Sequence, residues 1–114
     1  MRNDRERLLD VLEAIERIEK YAQRGKQEFE NDELIQTWIV HHLQGIGEAC
    51  RSLAAETRDR HPEVVGSQII GMRHILVHNY FGIDHEVVWS VVENNLAGFK
   101  SQIEHMIESI FESR

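Results

Sequence analysis

EVVWSVVENNLAGFKSQIEHMIESI, residues 86–110, decides between two kinds of fold. Its first eight residues are rich in β-branched and aromatic side chains and could pass for a strand on their own. The longer run does not fit that reading. Val88, Val91, Val92, Leu96, Phe99, Ile103, Met106, Ile107 and Ile110 recur every three or four positions. That is the spacing of an apolar stripe on a helix, whereas a half-buried strand alternates every two. The stretch therefore predicts one long amphipathic helix, with Asp84 placed to cap its free N–H groups.

The same period extends upstream. Leu8, Val11, Leu12, Ile15, Ile18 and Ala22 predict a helix over residues 4–24, stopped at Gly25. Asn31 or Asp32 can cap a second helix that carries Leu34, Trp38, Ile39, Leu43, Ile46, Cys50, Leu53 and Ala54, roughly 25 residues in all. Gly45 and Gly47 inside it cost about 1 kcal/mol each against alanine, which points to close approach of another helix there. AETRDRHPEVVGSQ, residues 55–68, reads as a connection, with Pro62 setting a bend or a first helical turn and Ser67 a cap for a third helix. The third helix ends near Gly82, a residue suited to the left-handed position after a helix. With no internal repeat or low-complexity tract, these segments predict an all-α, antiparallel four-helix bundle in one domain over residues 1–114.

Charge narrows the function. The 114 residues carry 13 Lys and Arg against 20 Asp and Glu, a formal net charge of −7. Proteins that coat nucleic acid nonspecifically neutralise phosphates with many cations, so that class is disfavoured. Residues 34–85 are the least repulsive to an anion, with four basic and five acidic side chains, and they hold six of the seven histidines. The N-terminus MRNDRERLLD has charges where a signal peptide needs its apolar core, and no run of 18 apolar residues exists, so a cytoplasmic protein without membrane contact is expected. Cys50 is the single cysteine and is expected to be a buried, reduced thiol. Trp38 and Trp89 fit core or interface anchors.

The chemistry-bearing stretch is GMRHILVHNYFGID, residues 71–84. His74 and His78 lie about 40° apart on a helix, one turn from each other, and Arg73 and Tyr80 differ by about 20°. Arg73 and His78 are about 140° apart, so joint action in an unbroken helix needs a long reach, a loosened helix end or a second chain. Four uses are open: the polar border of a helix interface, an i, i+4 metal pair, a phosphate clamp with a proton-moving histidine, or a docking surface. A metal would require a third ligand, usually a carboxylate or another histidine, which this helix does not offer at a matching turn and which His41 or His42 on the second helix could add. No metal or other cofactor is expected.

RHILVHNY has the pattern Arg, four residues, His, a polar residue, Tyr, and resembles the signature of HEPN-superfamily ribonucleases, particularly HepT-type toxins of HepT/MntA toxin–antitoxin pairs. The resemblance extends over LLDVLEAIERIEKY, IGEACRSL and HPEVVGSQIIGMRHILVHNYFGID, nearly the whole chain. One departure is that Val65 and Gly66 stand where members often have Pro-Trp. The resemblance implies a HEPN-like fold and a metal-independent endoribonuclease, the toxin of a type II/VII-like pair, with Arg73 and His78 as catalytic residues and Asn79 and Tyr80 in support. It also implies a homodimer with the motif at the interface, an RNA substrate such as tRNA or mRNA, and an MntA-like nucleotidyltransferase antitoxin that transfers AMP to Tyr80. Arg51, Arg58, Arg60 and His74 are candidate RNA contacts, with His61 beside the first three. The alternative is a noncatalytic helical partner that binds substrate for, or regulates, a nucleotidyltransferase.

Overall fold

The structure is a computed structural model, and it describes residues 3–61 and 84–112. Six helices make up these residues: α1 (Asp4–Ala22), α2 (Lys26–Asn31), α3 (Glu33–Arg51), α4 (Ala55–Arg60), α5 (His85–Asn94) and α6 (Leu96–Glu112). No strand occurs among the described residues. The described residues are all-α, as the apolar spacing requires. The third of the four expected helices lies outside the described residues, so the four-helix arrangement stays an expectation.

Local signals set three of the six helix starts. The Asn3 side chain accepts from Glu6 N–H at 2.8 Å, Asp32 accepts from Leu34 and Ile35 N–H at 2.9 and 3.3 Å, and Asp84 accepts from Glu86 and Val87 N–H at 3.1 and 3.3 Å. Each carboxylate or amide oxygen satisfies N–H groups that have no partner within the helix. Gly25 stops α1 as expected. At φ 96° it occupies a region that side-chain-bearing residues rarely adopt, and it turns the chain directly into α2. α2 is short but anchored, because Phe29 is buried against the Trp89 ring at 5.2 Å and Gln36 Nε2 donates to the carbonyls of Phe29 and Glu30.

One core joins the elements. Leu8, Val11, Ile15 and Ile18 of α1 meet Ile39, Leu43 and Ile46 of α3 and Phe99, Ile103 and Met106 of α6, all of them buried. α1 is the central element, packed against both α3 and α6. Lys100 of α6 adds a 2.8 Å ion pair to Glu19 of α1, and the hydrogen bond to that carboxylate raises the lysine pKa.

Three expectations about helix ends are corrected. α3 stops at Arg51, short of the length its stripe promised: Ser52 N–H is shared between the Glu48 and Ala49 carbonyls, and Leu53 N–H then bonds the Cys50 carbonyl three residues back, the tightened last turn of a helix end. The supposed connection begins with a helical turn, α4, held by Asp4 rather than by any buried side chain. The long C-terminal helix is broken at Asn95 into α5 and α6. Asn94 and Asn95 are weak helix formers, and the two halves bury against different neighbours, α5 on Phe29 of α2 and α6 on α1. Gly45, expected at a close helix approach, is exposed with open space where a Cβ would sit, whereas Gly47 is buried.

Candidate functional site

Arg73, His74, His78, Asn79 and Tyr80 lie outside the described residues, as do Val65 and Gly66. The structure does describe what holds the two ends of their segment. On the upstream side, the Asp4 carboxylate accepts from Ala54 N–H at 3.2 Å and from the Thr57 hydroxyl, tying α4 to the start of α1. On the downstream side, Asp84 caps α5, which Trp89 seats in the core while its indole N–H donates to Glu93 at 2.6 Å. Both attachment points therefore rest on the central α1 core or on α5.

The candidate RNA-contact arginines sit on exposed surface at the end of α3 and along α4. Arg51 pairs with Glu48 at 2.7 Å and Arg60 with Glu56 at 2.9 Å, so each approaches a phosphate with a carboxylate beside it. Arg58 makes no ion pair among the described residues. His61, half-buried at the end of α4, has its pKa lowered by burial and by the neighbouring His105 and Arg60. His61 is thus near a second histidine from α6, a juxtaposition that chain spacing alone does not reveal.

Two sites on α1 and α3 were not legible in advance as sites. His42 is buried, and its Nε2 has no hydrogen-bond partner among the described residues. Burial, His41 and Arg17 lower its pKa, opposed by Glu13. Its ring meets Trp38 edge-on at 4.6 Å and His41 at 5.1 Å. Among the described residues no group of three or more His, Cys, Asp or Glu is assembled to hold a metal ion, so His41 and His42 do not form one with the acids near them.

The second site is a cleft of about 360 Å³ between the last turn of α1 and the first turns of α3, lined by Tyr21, Arg24, Asp32, Leu34, Ile35 and Trp38. Tyr21 and Trp38 stand edge-to-face with centroids 5.5 Å apart, and the Arg24 guanidinium lies 5.0 Å from the Tyr21 ring centroid. Trp38 donates its indole N–H to the Arg17 carbonyl at 2.9 Å. The available signal was the pairing of Tyr21 with Arg24 and Leu34 with Trp38 at helical spacing, which puts each pair on one face.

Comparison with known proteins agrees with the helical core. Residues 11–106 match the family described as Ribonuclease HepT-like. Two proteins of Methanocaldococcus jannaschii, provisionally named RNases, are 32% and 31% identical over 98 and 104 residues, covering 85% and 90% of this chain and 90% and 86% of their own. A protein of Thermococcus cleftensis, provisionally named ribonuclease HepT, is 31% identical over 106 residues, covering 92% of this chain and 96% of its own. No solved structure gives a significant match. Because the family match spans most of the chain and takes in the Arg73, His78 and Tyr80 motif, the chain belongs to the HepT-like ribonuclease family of the HEPN superfamily.

Proposed function

We propose that this chain, a single HEPN-like domain over residues 1–114, is an endoribonuclease toxin of a type II/VII-like toxin–antitoxin pair, acting in the cytoplasm on RNA such as tRNA or mRNA. The observation that carries this reading is the family membership together with Arg73, four residues, His78, one residue, Tyr80 in the matched region.

The chemistry follows from the residue types. Histidine, with an ordinary pKa near 6.5, takes the proton from a ribose 2′-hydroxyl. The 2′-oxygen attacks the adjacent phosphorus, and the bond to the 5′-oxygen breaks as that oxygen receives a proton. The products are a 2′,3′-cyclic phosphate and a 5′-hydroxyl. Arg73 remains charged at any physiological pH and contacts two phosphate oxygens while negative charge builds on them. No metal enters this scheme.

One histidine does not readily serve as acid and base in the same step. A two-fold homodimer brings a second Arg73 and His78 to one cleft, and this answers the 140° separation of the pair along a single helix. Asn79 hydrogen-bonds substrate or Tyr80, and Arg51, Arg58, Arg60 and His74 contact flanking phosphates. Transfer of AMP from ATP to the Tyr80 hydroxyl by an MntA-like nucleotidyltransferase places a phosphodiester and a nucleoside where RNA phosphate binds, so modification blocks the site.

The test is cleavage of total tRNA and mRNA in EDTA by the unmodified protein beside His78→Ala, with intact mass excluding AMP on Tyr80. Loss of about 10²–10⁴-fold in the variant is expected from removal of the proton-transfer group. Equal, negligible cleavage by both clean proteins would assign the chain instead to a noncatalytic partner of a nucleotidyltransferase.

A further inference from the structure

The cleft between α1 and α3 has the walls and rim of a site for a flat, polar-edged ligand. Its floor is Ile35, 4% exposed, and its lip is Leu34, which at 81% exposed is far more open than an apolar side chain of its size usually is. Trp38 is held in place because its indole N–H is already committed to the Arg17 carbonyl, so the ring offers only π-surface and edge to anything that enters. Tyr21 stands edge-to-face against it.

The polar groups complete the pattern. Arg24 lies over the Tyr21 ring, and its contact with Glu28 is a long 4.0 Å, so the guanidinium has donors free to meet an anion. Lys20 places a second cation 5.7 Å from the same ring centroid. The Tyr21 hydroxyl makes no hydrogen bond among the described residues. Asp32 caps α3 through Oδ1 alone, which leaves Oδ2 to accept from an N–H.

We propose that this cleft binds an unpaired nucleobase together with its adjoining phosphate, a contact for single-stranded RNA outside the cleavage residues; the RNA assignment rests on the ribonuclease reading above. Bases have π-faces for the aromatic wall and N–H and carbonyl edges for Asp32 and Tyr21, and the phosphate meets Arg24. The size is right for a small ligand, within the usual range of about 300–1,000 Å³. An apolar knob from a partner protein would cover Leu34 and Trp38 but bury the free Asp32 oxygen and the Arg24 donors without partners, which opposes binding. A base with its adjoining phosphate satisfies all four.

The experiment uses full-length His78→Ala protein, so that RNA survives, and a fluorescein-labelled oligoribonucleotide of about eight residues beside a twin of equal length with abasic riboses. Both carry the same phosphates, so their Kd ratio reads the base contribution alone. The expected ratio is about ten-fold in favour of the base-bearing strand, collapsing toward one in Leu34→Ser, whereas Arg24→Gln weakens both strands alike and keeps the ratio; both are exposed substitutions whose folding circular dichroism checks. Competition by AMP would show that the site also takes a free nucleotide; persistence of the ratio without AMP competition would restrict it to RNA. Equal binding of the two strands, a ratio unchanged by Leu34→Ser, or affinities for both strands unchanged by Arg24→Gln, overturns the proposal. So does a change in oligomeric mass on Leu34→Ser with the ratio intact, which would assign the surface to protein contact. Cleavage by the His78-containing protein separates this from the parent reading: cleavage without a base effect sinks the cleft, and a base effect without cleavage sinks the nuclease.

Discussion

The Asp4 carboxylate, at the first residue of α1, accepts the Thr57 hydroxyl and the Ala54 N–H from fifty residues further along the chain. Its side chain is only 18% exposed. α4 itself buries no side chain, so besides its own Glu56–Arg60 pair the bond to Asp4 is what ties it to the core among the described residues. Asp4→Ala is expected to cost about 1–3 kcal/mol and Thr57→Val about 0.5–1.5 kcal/mol, because each leaves a partly buried polar group without its partner. A double-mutant cycle from urea denaturation should give a doubly substituted protein less destabilised than the sum. Strict additivity would mean that the pair does not interact.

His42 makes stability depend on pH. Its folded-state pKa lies below the ordinary 6.5, mainly through burial, so the native state resists a proton that the unfolded chain accepts. The neutral ring's contribution is complete above pH 6.5 and is lost as pH falls from there toward the lowered value. His61 adds to the trend in the same direction. The melting temperature should therefore fall between pH 7.5 and 5.5, and His42→Phe should flatten that fall. At pH 7.5 the phenylalanine protein should be as stable as the parent or more so, because Nε2 has no partner to lose among the described residues. An undiminished pH slope in His42→Phe would remove His42 from the account.

Cys50 is 2% exposed on the core side of α3, and burial pushes its thiol pKa up to about 12. At pH 8 about one thiol in ten thousand would be ionised, and the thiolate is the reactive form. Labelling by a soluble disulfide reagent should be slow in the native protein and complete within minutes in denaturant. Fast native labelling would contradict the packing of α3 against α1.

Tyr80→Phe separates catalysis from neutralisation. Under the proposed function it keeps Arg73 and His78 and so keeps cleavage, but it lacks the hydroxyl that accepts AMP. Co-expression with a nucleotidyltransferase and ATP should silence the parent protein and leave Tyr80→Phe active, with mass spectrometry showing AMP on the parent alone. Silencing of both proteins, with no added mass on Tyr80→Phe, would mean that the antitoxin acts by covering the site.

The apolar periods of α1, α3 and α6 were readable because a helix repeats its faces every three or four residues, a purely local property. Asp32 and Asp84 were readable as caps for the same reason: each bonds N–H groups two or three residues away. The motif at Arg73, His78 and Tyr80 was readable as a pattern of residue types, and it lies within the residues 11–106 that match the family.

Tertiary contact decided the rest. The apolar stripe runs on without a break from Val92 through Leu96 to Phe99, yet the helix breaks at Asn95 because α5 and α6 pack against different partners. The helical turn of α4 is held by a carboxylate fifty residues away, and the burial of His42 depends on α1 lying across α3. The cleft at Tyr21, Arg24, Leu34 and Trp38 exists only because Gly25 and α2 fold the end of α1 back toward the start of α3. Periodicity states which face of a helix is apolar; what that face meets, and which polar groups are left over at the meeting, is fixed by elements far apart in the chain.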